Sequence, residues 1–278
     1  MVRVRKEASP KGAAALLRRV VVERVNEVVK QMDTVYLKAE DMSVLSRSLV
    51  LFRDRRELMV DLGLQHKLGV LLHGEPGTGK STTIAAIATF LDKDIYYVSL
   101  GTVQTNAELR SLFDHVTKNC ANGGGIVVME DVDAMAPVVL RRRFESASPT
   151  SPTSPTSSTS SSQQDPLTLD FMLNVMQGTL TIDGLVFIAT TNHLDALDPA
   201  FYRDGRFDVV LMLTLCDRGQ VAAAFKRFFG REPRADVLSR VNEGVHSPAT
   251  VVARFARFLC VADDDEAILR PFCDPVAT

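Results

Sequence analysis

The sequence predicts an α/β fold with a doubly wound, parallel, five-stranded sheet, followed by a small all-helical lid domain. Two observations predict it. From about residue 68, short continuous apolar runs alternate with helical patterns, which is typical of parallel strands covered by helices on both faces. After Leu215 the strand-like runs stop and only helical patterns follow.

The predicted strands are the apolar runs that end in polar or small residues. They are Leu68–His73, Ile95–Leu100, Ile126–Glu130, Leu185–Thr191 and Phe207–Leu213. Helical patterns lie between them near 79–91, 106–119 and 166–177, and in the lid near 219–230, 234–243 and 247–260. Ser247-Pro248 is a good helix start, because serine caps free N–H groups and proline fits the first turn.

Composition limits the classes of protein. The chain has 278 residues, 46% hydrophobic and 24% charged, with a net charge of −2, as in an ordinary globular protein. We expect no nucleic-acid partner, because no overall positive charge attracts one. We also expect no membrane span, because the longest apolar runs fall short of about 18–20 residues. Four cysteines without pair spacing favour a reducing, intracellular compartment, either cytoplasmic or mitochondrial.

We divide the chain into a short N-terminal segment (1–50), an α/β core (51–216), a helical lid (217–265) and a C-terminal tail (266–278). An insertion at 146–164 interrupts the core; its residues up to 162 are Ser, Thr and Pro apart from one Ala. Such a stretch has no large apolar residue for a core, and proline blocks regular pairing. We predict a disordered surface loop, either without function or regulated by phosphorylation.

The first chemical motif follows the first strand. Residues 74–81 read GEPGTGKS, a full match to the phosphate-loop pattern G-x-x-x-x-G-K-[ST]. Glycines let the backbone wrap phosphate oxygens, the lysine carries a charge toward the β- and γ-phosphates, and the serine hydroxyl suits magnesium. The predicted cofactors are ATP and magnesium, and the predicted binding residues are Gly74, Glu75, Pro76, Gly77, Thr78, Gly79, Lys80, Ser81 and Thr82.

Three further motifs place polar residues at later positions. The strand in GIVVMEDVDA ends in Glu130 and Asp131. We predict that Glu130 faces the metal together with Ser81, and that Asp131 orients the attacking water. The strand in LVFIATTN ends at Asn192, predicted to hold the water or the γ-phosphate. In LDPAFYRDGRFD, Arg203 and Arg206 either end a surface helix or reach the γ-phosphate of a neighbouring subunit as arginine fingers.

Together, these four elements resemble the AAA family of ring ATPases, in whose order they occur from about residue 51 to 265. The resemblance implies magnesium-dependent ATP hydrolysis, a homo-oligomeric ring, and the remodelling, translocation or assembly of a protein client. Within the family the chain is most similar to the ATPases that assemble the mitochondrial cytochrome bc complex and translocate its folded Rieske subunit. The similar phrases are EDVDA, LFRDRRELMVDLGLQHKLGVLLHG, FMLNVMQGTL, ATTNHLDALDPA, KRFFG and SPATVVARFARFL.

The chain also departs from that group. Glu75 stands where the family's loop usually has proline, which predicts weaker nucleotide affinity, and RDGR replaces RPGR. Arg254 and Arg257 are the candidates for the family's sensor 2 arginine. The stretch SLGTVQTNAEL lacks the aromatic residue of polypeptide-threading relatives. About 50 residues precede the core, and TVYLKAED at 34–41 resembles a remnant strand of the preceding domain in that group. We therefore do not carry over its substrate.

Two other functions stay open. The first is a nucleotide-binding regulatory or degenerate subunit with little turnover, which Glu75 and the RDGR turn favour. The second is a small-molecule or nucleic-acid kinase with the same loop. The Asn192 position, the arginine pair and the helical lid after the core argue against the kinase, because kinases place their lids within the core.

Overall fold

A computed structural model describes residues 30–98, 100–119, 124–135, 139–140, 165–177, 183–203, 205–259 and 264–273. Three parts of the predicted organisation lie outside these residues: the N-terminal segment before residue 30, the Ser/Thr/Pro insertion at 146–164, and the end of the tail after Cys273.

The core sheet has five parallel strands, as the sequence predicts. They are β1 (Lys67–His73), β2 (Ile95–Tyr97), β3 (Ile126–Met129), β4 (Leu185–Thr191) and β5 (Val209–Met212). The strand order is β2-β3-β4-β1-β5. Leu71 pairs with Ala189 of β4 and Val210 of β5, which places β1 next to an edge strand. The carboxyl ends of all five strands meet at one edge of the sheet.

Helices precede the sheet and connect its strands. They are α1 (Ala39–Asp54), α2 (Arg56–Asp61), α3 (Lys80–Leu91), α4 (Asn106–Asn119), α5 (Val132–Met135), α6 (Leu169–Gln177) and α7 (Pro199–Tyr202). Each face of the sheet has its own apolar cluster. On one face, Leu45 of α1 and Ile84 of α3 pack against Val70. On the other, Leu109 of α4 and Met172 of α6 join the cluster of Phe187.

The segment before the core differs from the prediction. Residues 34–41 were predicted as a strand, but Thr34 ends a 3-10 helix and Ala39 begins α1. Glu40 and Asp41 lie in the first turn of α1, where acidic side chains favour the positive end of a helix. Only the short link 35–38 between the two helices is extended, with Val35 buried.

The lid is a helical bundle of α8 (Arg218–Phe229), α9 (Ala235–Leu238), α10 (Pro248–Phe258) and α11 (Asp265–Cys273). Ser247 caps α10 as predicted, since its side chain accepts a hydrogen bond from the Thr250 N–H. Phe225, Phe255 and Phe272 form the buried centre of the bundle. Because α11 supplies Phe272, we propose that the lid extends to Cys273 and includes residues first assigned to the tail. No helix in the described residues has the length and apolarity to cross a membrane.

Candidate functional site

The loop between β1 and α3 has the backbone that its glycines predict. Gly74, Gly77 and Gly79 have φ values of 138°, 80° and 103°, a region that side chains other than glycine rarely adopt. A Cβ at Gly74 would lie 2.1 Å from the carbonyl oxygen of Leu213. The loop therefore fits closely against the end of β5, and α3 begins directly after it at Lys80. Its free N–H groups suit an anion.

Lys80 lies inside this loop. Its Nζ donates hydrogen bonds to the carbonyl oxygens of Gly74 at 2.6 Å and Glu75 at 2.9 Å, and to Oδ1 of Asn192 at 2.9 Å. Burial lowers the pKa of Lys80, whereas the charges of Asp131 and Asp133 act to raise it. The ammonium group is thus held at the carboxyl edge of the sheet, where the loop would surround a phosphate.

The two predicted acids lie at the end of β3. The Ser81 hydroxyl donates to Oε1 of Glu130 at 3.2 Å, so a hydroxyl and a carboxylate are side by side. Magnesium prefers such oxygen ligands and usually keeps water and substrate phosphates as its other ligands. The described residues contain no group of three or more His, Cys, Asp or Glu side chains that could hold a metal ion. The pair fits a magnesium ion held between protein and nucleotide.

Asp131 has an unusual backbone and a defined neighbour. Its φ is 46°, left-handed for a non-glycine residue, and its N–H donates to the Thr190 hydroxyl at 3.0 Å. Nδ2 of Asn192 donates to Oδ1 of Asp131 at 3.4 Å. Asn192 therefore connects Lys80 to Asp131, and the structure brings together these three residues from β3, β4 and the loop.

One polar pair behind this row was missed from the sequence. The hydroxyl of buried Thr191 donates to Oδ1 of Asp133 at 2.8 Å and accepts from the His193 N–H at 3.0 Å. The pair fixes the end of β4 immediately before Asn192. The only sequence signal for it is the second acid of EDVDA.

Arg203 and Arg206 do not join this site. The Arg206 carbonyl oxygen approaches Gly69, where a Cβ would lie 2.1 Å from it, and Lys67 Nζ donates to the Gly205 carbonyl at 3.0 Å. The backbone at Gly205 and Arg206 thus lies near the start of β1, about 15–20 Å from the phosphate loop by the rise along β1, whereas Tyr202, the residue before Arg203, lines a cavity together with Gly74 and Asn192. Arg203 is exposed, whereas Arg206 is 8% exposed.

A cavity of about 880 Å³ opens over the phosphate loop, between core and lid. The lid side of the wall contains residues that the sequence reasoning missed: Arg227 and Phe228 of α8, and Pro248, Ala249, Val252 and Ala253 of α10. The link residues Thr34, Val35 and Tyr36 complete it. The loop touches the lid directly, because the Ala249 N–H donates to the Gly77 carbonyl at 3.2 Å. Contacts of such long sequence separation leave no local pattern.

Glu75, Arg254 and Arg257 are among the predicted positions that do not line this cavity. Glu75 is exposed, and it lines a second cavity on the other side of the loop. Its backbone carbonyl, rather than its carboxylate, serves the loop. Arg254 donates to the Pro271 carbonyl at 3.2 Å and lies over the Phe272 ring, so it faces α11. Arg257 is exposed. Neither arginine lines the cavity over the phosphate loop.

The fold and site define a phosphate-loop nucleotide-binding protein with a helical lid. The family model described as "ATPase family associated with various cellular activities (AAA)" matches residues 70–215, just over half of the chain. The chain therefore belongs to the AAA family of ATPases.

Individual relatives agree with this assignment. An AAA-ATPase of Arabidopsis thaliana is 33% identical over 176 residues, which are 61% of this chain and 34% of the relative. A putative AAA family ATPase of Acanthamoeba polyphaga mimivirus is 32% identical over 179 residues, 60% of this chain and 89% of that protein. An Arabidopsis AAA-ATPase named as mitochondrial is 30% identical over 224 residues, 79% of this chain and 47% of the relative. The matched segment thus spans less than half of the two plant proteins.

Proposed function

We propose that the chain binds ATP with magnesium in the cavity between phosphate loop and lid, and hydrolyses it with water. The observation that carries this proposal is the hydrogen-bonded row of Lys80, Asn192 and Asp131. The row starts inside the phosphate loop and ends at a carboxylate beside the proposed metal ligands. A site that only held a nucleotide would need the lysine but not a carboxylate aligned with it.

Each residue has a proposed role. The loop N–H groups and Lys80 hold the phosphates. Ser81 and Glu130 would hold magnesium, which would neutralise charge on the nucleotide phosphates. Asp131 accepts a hydrogen bond from the attacking water and orients it, and Asn192 fixes that water or the γ-phosphate. The strand ends hold these groups in place before the nucleotide arrives, which is the preorganisation that catalysis needs.

We further propose that Arg203 completes the site of a neighbouring copy. Arg203 is exposed and does not line the cavity over the phosphate loop of its own chain. We propose that buried Arg206 stabilises the turn and that Arg203 and Arg206 together act on the nucleotide of the neighbouring copy. A ring of identical copies would place this turn at each nucleotide and neutralise charge that develops during phosphoryl transfer.

The first test compares two variants of the core. We expect Lys80→Ala to lose ATP binding, and Asp131→Asn to keep ATP binding while magnesium-dependent hydrolysis falls by roughly 100-fold or more. Asp92→Asn is the matched control, because Asp92 has a φ of 51° but ends α3 far from the site. Hydrolysis is followed by phosphate release and binding by a fluorescent ATP analogue. Unchanged turnover in both Lys80→Ala and Asp131→Asn contradicts the proposal.

The second test separates the ring from a binding module. If Arg203 acts in trans, specific activity rises with protein concentration, and Arg203→Ala lowers it by roughly 1,000-fold without changing binding. The alternative, a nucleotide-binding subunit with little turnover, is favoured by the burial of Arg206. That alternative predicts ATP binding with hydrolysis that stays flat as concentration rises.

Family resemblance supports further proposals about partners and place. We propose a protein client that the ATPase remodels, translocates or assembles, and similarity in motifs favours the clade that assembles the mitochondrial cytochrome bc complex. Two relatives carry the word mitochondrial in their names, which favours a mitochondrion over the cytoplasm. Fractionation of cells that express the tagged chain tests this location. Enrichment of the chain in the cytoplasm contradicts the proposed mitochondrial location.

A further inference from the structure

The carboxyl end of β4 extends past its neighbour β3. The register between the two strands ends at Met129 and Ala189, and β4 continues for two more residues, Thr190 and Thr191. On their other side these residues still pair with β1. The two threonines are buried, at 2% and 0% exposed. Their backbone is therefore held by β1, and their hydroxyl groups are available to the segment that follows β3.

The hydroxyl of Thr190 holds the backbone of Asp131. It accepts a hydrogen bond from the Asp131 N–H at 3.0 Å. The φ of Asp131 is 46°, a left-handed conformation that costs energy in a residue other than glycine and persists where the surrounding structure enforces it. In this conformation Oδ1 of Asp131 accepts a hydrogen bond from Nδ2 of Asn192. Thr190 therefore helps to fix the direction of the proposed catalytic carboxylate.

The hydroxyl of Thr191 fixes the backbone around Asn192. It donates to Oδ1 of Asp133 at 2.8 Å and accepts from the His193 N–H at 3.0 Å. Asp133 lies in the first turn of α5, and the preceding residue, Val132, is fully buried, which anchors this helix in the core. Because Thr191 precedes Asn192 and His193 follows it, the hydroxyl holds the chain on both sides of the amide.

We infer that Thr190 and Thr191 are positioning residues for hydrolysis, Thr190 through Asp131 and Thr191 through Asn192. This inference rests on the proposed function, in which Asp131 orients the attacking water and Asn192 fixes that water or the γ-phosphate. Neither threonine lines the cavity over the phosphate loop, so each acts through its partner. Two consecutive hydroxyl groups thus set the spacing between the carboxylate and the amide, which are joined at 3.4 Å.

Turnover should depend on this spacing more than nucleotide binding does. Movement of a catalytic group by about 1 Å lowers turnover roughly 100-fold. Binding depends on the N–H groups of the phosphate loop and on Lys80, which keeps its hydrogen bonds to two loop carbonyls when Asn192 shifts. Loss of either hydroxyl should therefore lower kcat and leave KM and nucleotide affinity unchanged.

The test replaces each threonine in two ways. Thr190→Val and Thr191→Val keep the branched shape and remove the hydroxyl, whereas Thr190→Ser and Thr191→Ser keep the hydroxyl. Thr83→Val is the matched control, because Thr83 is also buried and its hydroxyl donates to the Gly79 carbonyl, which the Thr83 N–H also contacts. Phosphate release gives kcat and KM, a fluorescent ATP analogue gives nucleotide affinity, and denaturant unfolding shows that each variant is folded.

We expect kcat of each valine variant to fall by roughly 10- to 100-fold with KM and nucleotide affinity unchanged. The serine variants and the control should have kcat values close to that of the wild type. A hydroxyl that only stabilised the fold would lower the free energy of unfolding without this selective loss of kcat.

Double variants test whether each threonine acts through its partner. Thr190→Val combined with Asp131→Asn should have the kcat of Asp131→Asn alone, because the carboxylate that Thr190 positions is already absent. Thr191→Val combined with Asn192→Ala should likewise have the kcat of Asn192→Ala alone. Independent roles would instead give effects that multiply.

Three results would overturn the inference. The first is a folded valine variant with the kcat of the wild type. The second is a serine variant that loses as much kcat as the valine variant at the same position. The third is a multiplied loss in both double variants. If hydrolysis is lost in Asp131→Asn but unchanged in the valine variants, the proposed function stands and only this inference fails. Unchanged hydrolysis in Lys80→Ala and Asp131→Asn contradicts the proposed function itself.

Discussion

A single methyl group at Gly69 tests whether strand packing positions the proposed trans-acting arginines. Gly69 lies within β1, where any residue can adopt the backbone. A Cβ there would nevertheless lie 2.1 Å from the Arg206 carbonyl oxygen and 2.9 Å from Cα of Phe207. The contacts are with backbone atoms, so no side chain can rotate away. Gly69→Ala must push the backbone at Arg206 and Phe207 away from β1.

The size of the effect follows from these distances. A carbon and a carbonyl oxygen in close contact are about 3.3 Å apart, so the turn must move by roughly 1.2 Å. Overpacking of this kind costs about 1–3 kcal/mol, and the melting temperature should fall by several degrees. Movement of a catalytic group by 1 Å lowers turnover by about 100-fold. Nucleotide binding should not change, because the phosphate loop lies at the other end of β1.

The assay compares thermal unfolding, nucleotide affinity and ATP hydrolysis at a concentration where the wild type assembles. Gly219→Ala is the matched control, since its Cβ would meet only the flexible Asp217 side chain at 3.2 Å. Helix α8 should tolerate it. A Gly69→Ala protein with the stability and turnover of the wild type would refute the packing argument. Lost nucleotide affinity would refute the separation of the two edges.

Two further predictions concern backbone strain and acid stability. Asp131→Gly should be more stable than Asp131→Ala by about 1 kcal/mol, because the φ of Asp131 is 46°. The same pair at Asp92, whose φ is 51°, should differ in the same direction. Denaturant unfolding measures both differences, and equal stabilities of the two Asp131 variants contradict the prediction. Burial first, then the Arg254 charge, lowers the pKa of His246 below 6.5. As pH falls, the unfolded chain therefore binds a proton at His246 before the folded chain does, and the free energy of unfolding decreases below about pH 6.5. The free energy of unfolding of His246→Gln should decrease less than that of the wild type between pH 7 and pH 5. An equal decrease in the two proteins contradicts this prediction.

Much of the fold was predictable because its signals are local. Each strand is a continuous apolar run, and a parallel sheet buried on both faces needs such runs. Strand ends were less predictable. Ile95–Leu100 was predicted as one strand, but β2 ends at Tyr97 and Leu100 begins a 3-10 helix, where buried Leu100 and Val103 still look apolar in sequence. Apolar residues that are buried without pairing in the sheet form the same sequence pattern as those of a strand.

The candidate site likewise has one part that could be predicted from local sequence and another that could not. The phosphate loop is one contiguous motif, so its glycines and Lys80 could be identified directly. Contacts with β5 decide on which side of the loop Glu75 lies. Contacts with α11 decide the direction of the Arg254 side chain. Those contacts join residues far apart in the chain, and no spacing in the sequence encodes them. Burial of Arg206 likewise follows from how the turn packs on β1.

The separation between the two edges of the sheet argues for dependence on concentration. Lys80 and Asp131 lie at the carboxyl ends of strands, whereas the carbonyl of Gly205, two residues after Arg203, accepts a hydrogen bond from Lys67 at the start of β1. Seven residues of β1 span about 20 Å, and hydrogen bonds to β4 and β5 along both sides hold the strand extended. The proposed trans-acting role of Arg203 therefore predicts that dilution lowers turnover before it lowers nucleotide binding.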